Sequence, residues 1–68
     1  MTFGQIIKKL RREADMTQEK LAELLSVSAQ AVSRWEQGET IPSTDILKLI
    51  SKEFNVSINT LLGSPRQL

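Results

Sequence analysis

Between Met16 and Val32 the chain carries one short pattern twice: an apolar residue, then a hydroxyl residue, then a second apolar residue four positions after the hydroxyl. It appears as Met16-Thr17 with Leu21 and again as Val27-Ser28 with Val32. A Ser or Thr just before a helix accepts a hydrogen bond from a free backbone N–H of the first turn, and the flanking apolar pair closes over that turn. The pattern therefore predicts two helix starts. Between them Leu21, Leu24 and Leu25 recur at helical spacing, pause at Ser26-Val27-Ser28, and hand over to Val32 and Trp35. Two helices this short, joined by so tight a turn, cannot lie antiparallel and bury their faces on each other alone. They must cross steeply and share a third element.

The flanking sequence supplies further helices. Thr2-Phe3-Gly4-Gln5 reads as a capping box that starts a first helix at Phe3. Phe3, Ile6, Ile7, Leu10 and Ala14 then share one side, with Lys8, Lys9 and Arg12 on or towards the other, and the helix is expected to end near Asp15. Arg11 sits at the edge of the apolar stripe, where a long side chain lays its stem on the core and reaches a partner. The second helix is predicted over Gln18 to Leu25, with Leu21, Leu24 and Leu25 inward and Ala22 small enough to let the third helix approach.

The third helix, Ala29 to Gln37, has two faces of unlike kind. Ala31, Val32 and Trp35 are its apolar side, while Gln30, Ser33, Arg34 and Gln37 recur at i, i+3, i+4 and i+7 opposite them. Glu36 falls near Val32, at the margin of the buried face, and Gly38 stops the helix. Ser43 is the expected cap of a fourth helix carrying Asp45 in its first turn, with Ile46, Leu47, Leu49, Ile50 and Phe54 mostly inward and Asn55 as a left-handed stop. Val56-Ser57 with Leu61 uses the opening pattern a third time, for a short fifth helix from Ile58 to Leu62 ended by Gly63. The expected fold class is all-α, a compact five-helix bundle over residues 1–63, with 64–68 as a disordered tail or the start of a linker.

Composition removes most catalytic readings. The 68 residues include no Cys and no His, so thiolate and imidazole metal ligands, disulfides and Ser-His catalysis are absent. No cofactor or metal is expected, and no enzyme. No apolar run reaches the roughly 20 residues of a membrane span, and Met1-Thr2-Phe3 leads into an amphipathic helix rather than a signal peptide, so a cytoplasmic location is expected. Nine Lys and Arg against eight Asp and Glu leave a net charge of +1, less basic than many nucleic-acid binders. Function has to be read from where particular polar residues sit.

Four stretches carry a resemblance: T-Q-E-K-L-A at 17–22, S-x-x-x-V-S-R-W-E-Q-G at 28–38, P-S-T-D-I-L-K-L-I at 42–50 and V-S-I-N-T-L-L-G at 56–63. With these spacings linked from Phe3 to Gly63, the chain resembles the Cro and phage-repressor-type, XRE-like helix-turn-helix family. It departs at Ser26, a turn position that is usually Gly there; if the backbone needs φ > 0, Ser carries strain of order 1 kcal/mol. The resemblance implies a lambda-repressor-like domain that binds double-stranded DNA sequence-specifically, as a homodimer on a two-fold operator, and regulates transcription, as a repressor. It places base contacts at Ser28, Ala29, Gln30, Ser33 and Arg34, where Gln pairs with adenine, Arg with guanine, and Ala29 offers only a methyl group. It gives Gln18 a phosphate contact at the start of the second helix. Gln37, Thr40, Ser43 and Thr44 are candidates for a second backbone clamp. Arg11 and Glu36 match a partly buried ion pair.

Bland readings stand beside these. A polar stripe is also what any solvated helix face shows, Gln18 also suits a helix start, and Trp35 reads as packing before it reads as a base-stacking residue. Leftover apolar surface at Ile58, Leu61 or Leu62 is expected to serve dimerisation. The alternative function, from another class, is a protein-interaction module such as an antitoxin-type partner-binding domain.

Overall fold

In the computed structural model, which describes residues 1–62, each helix begins on a hydroxyl side chain. The helices are α1 (Phe3–Glu13), α2 (Gln18–Leu25), α3 (Ala29–Glu36), α4 (Thr44–Phe54) and α5 (Ile58–Leu61). Their caps are Thr2, Thr17, Ser28, Ser43 and Ser57, each accepting from a first-turn N–H. At α1 the box closes in both directions: Gln5 N donates to Thr2 Oγ1 at 3.3 Å and Thr2 N donates to Gln5 Oε1 at 3.0 Å.

The helix ends also repeat one device. Asp15, Ser26, Gly38 and Asn55 take left-handed φ values of 57°, 59°, 81° and 54°. The next N–H then folds back five residues, from Met16 to Arg11 O at 2.9 Å, Val27 to Ala22 O at 2.9 Å, Glu39 to Arg34 O at 3.0 Å and Val56 to Ser51 O at 3.1 Å. These bonds satisfy carbonyls that a helix end otherwise leaves free. Met16, Val27 and Val56 thus close one helix and pack beside the next cap, which keeps the connections short.

Ser26 adopts the strained conformation that the missing glycine implied, at φ 59° and ψ 40°. Left-handed geometry costs a residue with a side chain roughly 1–2 kcal/mol, and glycine gives back about 0.5–1 kcal/mol of that through its looser unfolded state. Ser26→Gly is therefore expected to stabilise by up to about 1 kcal/mol, raising Tm by up to about 4–8 °C. A thermal melt with an unchanged or lower midpoint would show that the Ser26 side chain compensates its backbone.

α2 packs on α3, α1 lies against α3, α4 meets α2 and α5, and α5 returns to α1. The core they enclose is Phe3, Ile7, Leu21, Ala22, Leu25, Val32, Trp35, Leu47, Ile50 and Leu61. Several expectations need correction. Leu24 and Leu49, read as inward, are 42% and 44% exposed. On a wheel of about 100° per residue, Leu21, Leu25 and Ala22 form one arc of α2, and Leu24 lies beyond its Leu21 edge. Leu49 falls outside the arc of Leu47 and Ile50 in the same way. Ala14 is exposed because α1 stops at Glu13 and Ala14 is its cap, short of the expected Asp15.

α3 and α5 each end one residue earlier than expected, with Gln37 and Leu62 as caps. Leu61 is fully buried, so it has no surface left over for a second copy, whereas Ile58 is half-buried and Leu62 exposed. Gly63 and the expected tail at 64–68 lie outside the described residues. Among the described residues no helix is long and apolar enough to cross a membrane.

Candidate nucleic-acid interface

α3 is anchored on one side so that the other is presented. Trp35 is 4% exposed and meets Phe3 edge to face, ring centroids 6.0 Å apart at 72°, while Val32 is fully buried. Trp35 is therefore core and unavailable for stacking on bases. Opposite it, Gln30, Arg34 and Gln37 are exposed and Ser33 is half-exposed. Gln37 Nε2 donates to Ser33 Oγ at 3.0 Å, which ties two residues of the stripe together. Gln30 and Arg34, one turn apart, have no side-chain partner among the described residues, so their full donor and acceptor sets face outward. Ser28 spends an oxygen lone pair on the Ala31 N–H at 3.1 Å and keeps its O–H proton for donation. Ala29 is half-buried and packs partly against the core, so little of its methyl group is presented.

Of the positions expected to grip a backbone, Gln37 caps the end of α3 itself and the others lie beyond that helix. Thr40, Ser43 and Thr44 are exposed on either side of Pro42, whose burial pins the connection between α3 and α4 to the core. Ser43 also caps α4, so its hydroxyl serves the helix and still has a proton to give. Gln18, the first residue of α2, is half-buried.

Behind this surface lies a charged cluster. Arg11 Nε donates to Glu36 Oε2 at 2.7 Å and Arg11 Nη2 to Glu36 Oε1 at 3.1 Å, a bidentate pair with 13% and 5% of the two side chains exposed. Arg11 Nη1 donates to Met16 O at 2.8 Å, and Gln18 Nε2 donates to Glu36 Oε1 at 3.0 Å. Burial pushes the Glu36 carboxyl up, but the bonds from Arg11 and Gln18 and the charges of Arg11 and Lys8 outweigh it and hold the group below its ordinary value of 4.5. The expected pair is present and joins α1 to α3, and Gln18 extends the cluster to the start of α2.

Two features were missed from sequence. Gly4 is buried where α1 rides on the last turn of α3: a Cβ there would stand 2.3 Å from Trp35 O and 3.0 Å from Glu36 O. The available signal was a glycine inside an amphipathic helix, where alanine is favoured by about 1 kcal/mol. The Gln18–Glu36 bond had no signal, since its partners lie 18 residues apart.

A buried-back, polar-front helix held across a second short helix defines the class as a helix-turn-helix domain. A sequence profile of the family described as "Helix-turn-helix" matches residues 7–61. The chain belongs to this family, the XRE-like branch that holds transcription regulators and phage repressors. It is 47% identical over 63 residues to the HTH-type transcriptional activator BcrR of Enterococcus faecalis, covering 93% of this chain and 31% of that protein. It is 35% identical over 66 residues to Antitoxin PezA of Streptococcus pneumoniae, covering 97% of this chain and 42% of that one. The P22 c2 repressor, solved in complex with a synthetic operator, superposes with a TM-score of 0.85 at 32% identity, covering 91% of this chain and 94% of that structure. The chain thus spans less than half the length of these two curated relatives.

Proposed function

We propose that this domain binds duplex DNA in the cytoplasm with α3 in the major groove, and that it regulates transcription as a homodimer on a two-fold site. The observation that carries the reading is that Gln30 and Arg34, exposed and without a side-chain partner among the described residues, stand one turn apart on a helix whose other face is locked by Trp35 and Val32. In the groove these side chains meet neighbouring base pairs, with Ser28, Ala29 and Ser33 beside them. Gln18 contacts phosphate from one flank, with Gln37, Thr40, Ser43 and Thr44 as the second clamp. The likeness to an operator-bound P22 repressor supports this arrangement and a repressing role. The E. faecalis activator has a similar domain, so the same fold serves activation as well as repression.

The first test is selection from random duplexes, expected to enrich a two-fold site with half-sites about one turn, ~34 Å, apart. On that site Arg34→Ala is expected to cost about 1–3 kcal/mol and to relax preference at one position per half-site. Gln18→Ala is expected to weaken selected and random duplexes together, with little change in salt slope because Gln18 is neutral. If Arg34→Ala lowers affinity for both kinds of DNA by the same factor, α3 is not the reader. The likeness to PezA then moves a second reading forward, an antitoxin-type module whose main contacts are to a partner protein.

A further inference from the structure

The Gln18 amide is held more firmly than a phosphate contact alone requires. Its Nε2 donates to Glu36 Oε1, and the same carboxylate is fixed by two bonds from Arg11. Arg11 is fixed in turn by Met16 O, immediately before the Thr17 cap of α2. An ionised carboxylate only accepts hydrogen bonds. Facing one, Gln18 must turn its NH2 group towards Glu36, and the second hydrogen on Nε2, which meets no acceptor among the described residues, can serve one outside the protein. A glutamine free to rotate would present its carbonyl oxygen outward as readily, and that oxygen repels phosphate.

We propose that Glu36 is a positioning residue for DNA: through its bond to Nε2 it sets the orientation of the Gln18 amide so that an N–H, not the carbonyl, meets a phosphate. The ion pair of Arg11 and Glu36 then serves binding as well as stability. Neutralising Glu36 by simple charge removal near DNA should tighten binding to any duplex. Loss of positioning should weaken it, so the two effects have opposite sign.

This inference rests on the phosphate role proposed for Gln18, and the test separates the two. Native protein, Glu36→Gln, Gln18→Ala and the double variant are titrated with a short random-sequence duplex at low salt, after circular dichroism has shown each to be folded. Glu36→Gln is expected to weaken binding about two- to tenfold, the size of losing one pre-ordered long side chain. In the Gln18→Ala background the same change should leave affinity unchanged or improve it. Equal factors in both backgrounds, or tighter binding by Glu36→Gln alone, overturn the positioning role while leaving the phosphate role intact. If Gln18→Ala binds as tightly as native protein, the phosphate role fails and takes this inference with it.

Should Glu36→Gln not fold, the native protein decides. Side-chain ¹⁵N relaxation is expected to show the Gln18 NH2 group ordered and that of Gln30, which has no partner among the described residues, mobile. Equal mobility overturns the proposal.

Discussion

Arg11→Met and Glu36→Leu, made singly, are each expected to destabilise the domain by about 3–5 kcal/mol, because each leaves a largely buried charge without its partner. Arg11→Met leaves the Glu36 carboxylate with Gln18 alone and frees the Met16 carbonyl; Glu36→Leu leaves the guanidinium with that carbonyl only. The double variant should recover part of the loss, since two apolar side chains replace two opposed charges. Urea denaturation of the four proteins measures the coupling, and strictly additive losses would show that the two charges contribute independently of one another. Acid adds a second signature. The folded Glu36 carboxyl lies below its ordinary value of 4.5, so its contribution is present above that pH and is lost as pH falls through the folded value. The stability gap between native protein and Glu36→Leu is therefore expected to narrow below about pH 4.5.

Gly4→Ala is expected to cost at least the roughly 1–3 kcal/mol of ordinary overpacking, although alanine is the better helix former. The added methyl would stand 2.3 Å from Trp35 O, a backbone atom that no rotamer change can move aside. α1 must shift off the end of α3, loosening the Phe3–Trp35 contact and the reach of Arg11 to Glu36 together. A domain of 68 residues holds only about 3–10 kcal/mol at roughly 0.05–0.15 kcal/mol per residue, so much of the stability is at stake. A melting temperature equal to or above that of native protein would show that the helices separate without cost.

Gly4 also marks the limit of what could be read in one dimension. The Thr2–Gln5 box, the caps at Thr17, Ser28, Ser43 and Ser57 and the left-handed stop at Asn55 join residues no more than five apart, and all were legible. So was the division of α3 into a Trp35 face and a Gln30–Arg34 face, because helical period alone separates them. Asp15 was less legible: its left-handed turn ends α1 early and exposes Ala14.

Sequence by itself therefore determined where the helices start, roughly where they stop, and which stripe of α3 is polar, since these follow from hydrogen bonds and side-chain spacing within one turn. Tertiary structure decided that Leu24 and Leu49 stay partly in solvent, that Leu61 rather than Leu62 is core, that Gly4 admits no side chain, and that Gln18 donates to Glu36. An apolar stripe says only that a helix has something to bury. How much of it is covered, and which polar groups meet beneath it, depends on the angle and distance at which a second helix arrives, and no spacing within the first helix encodes either.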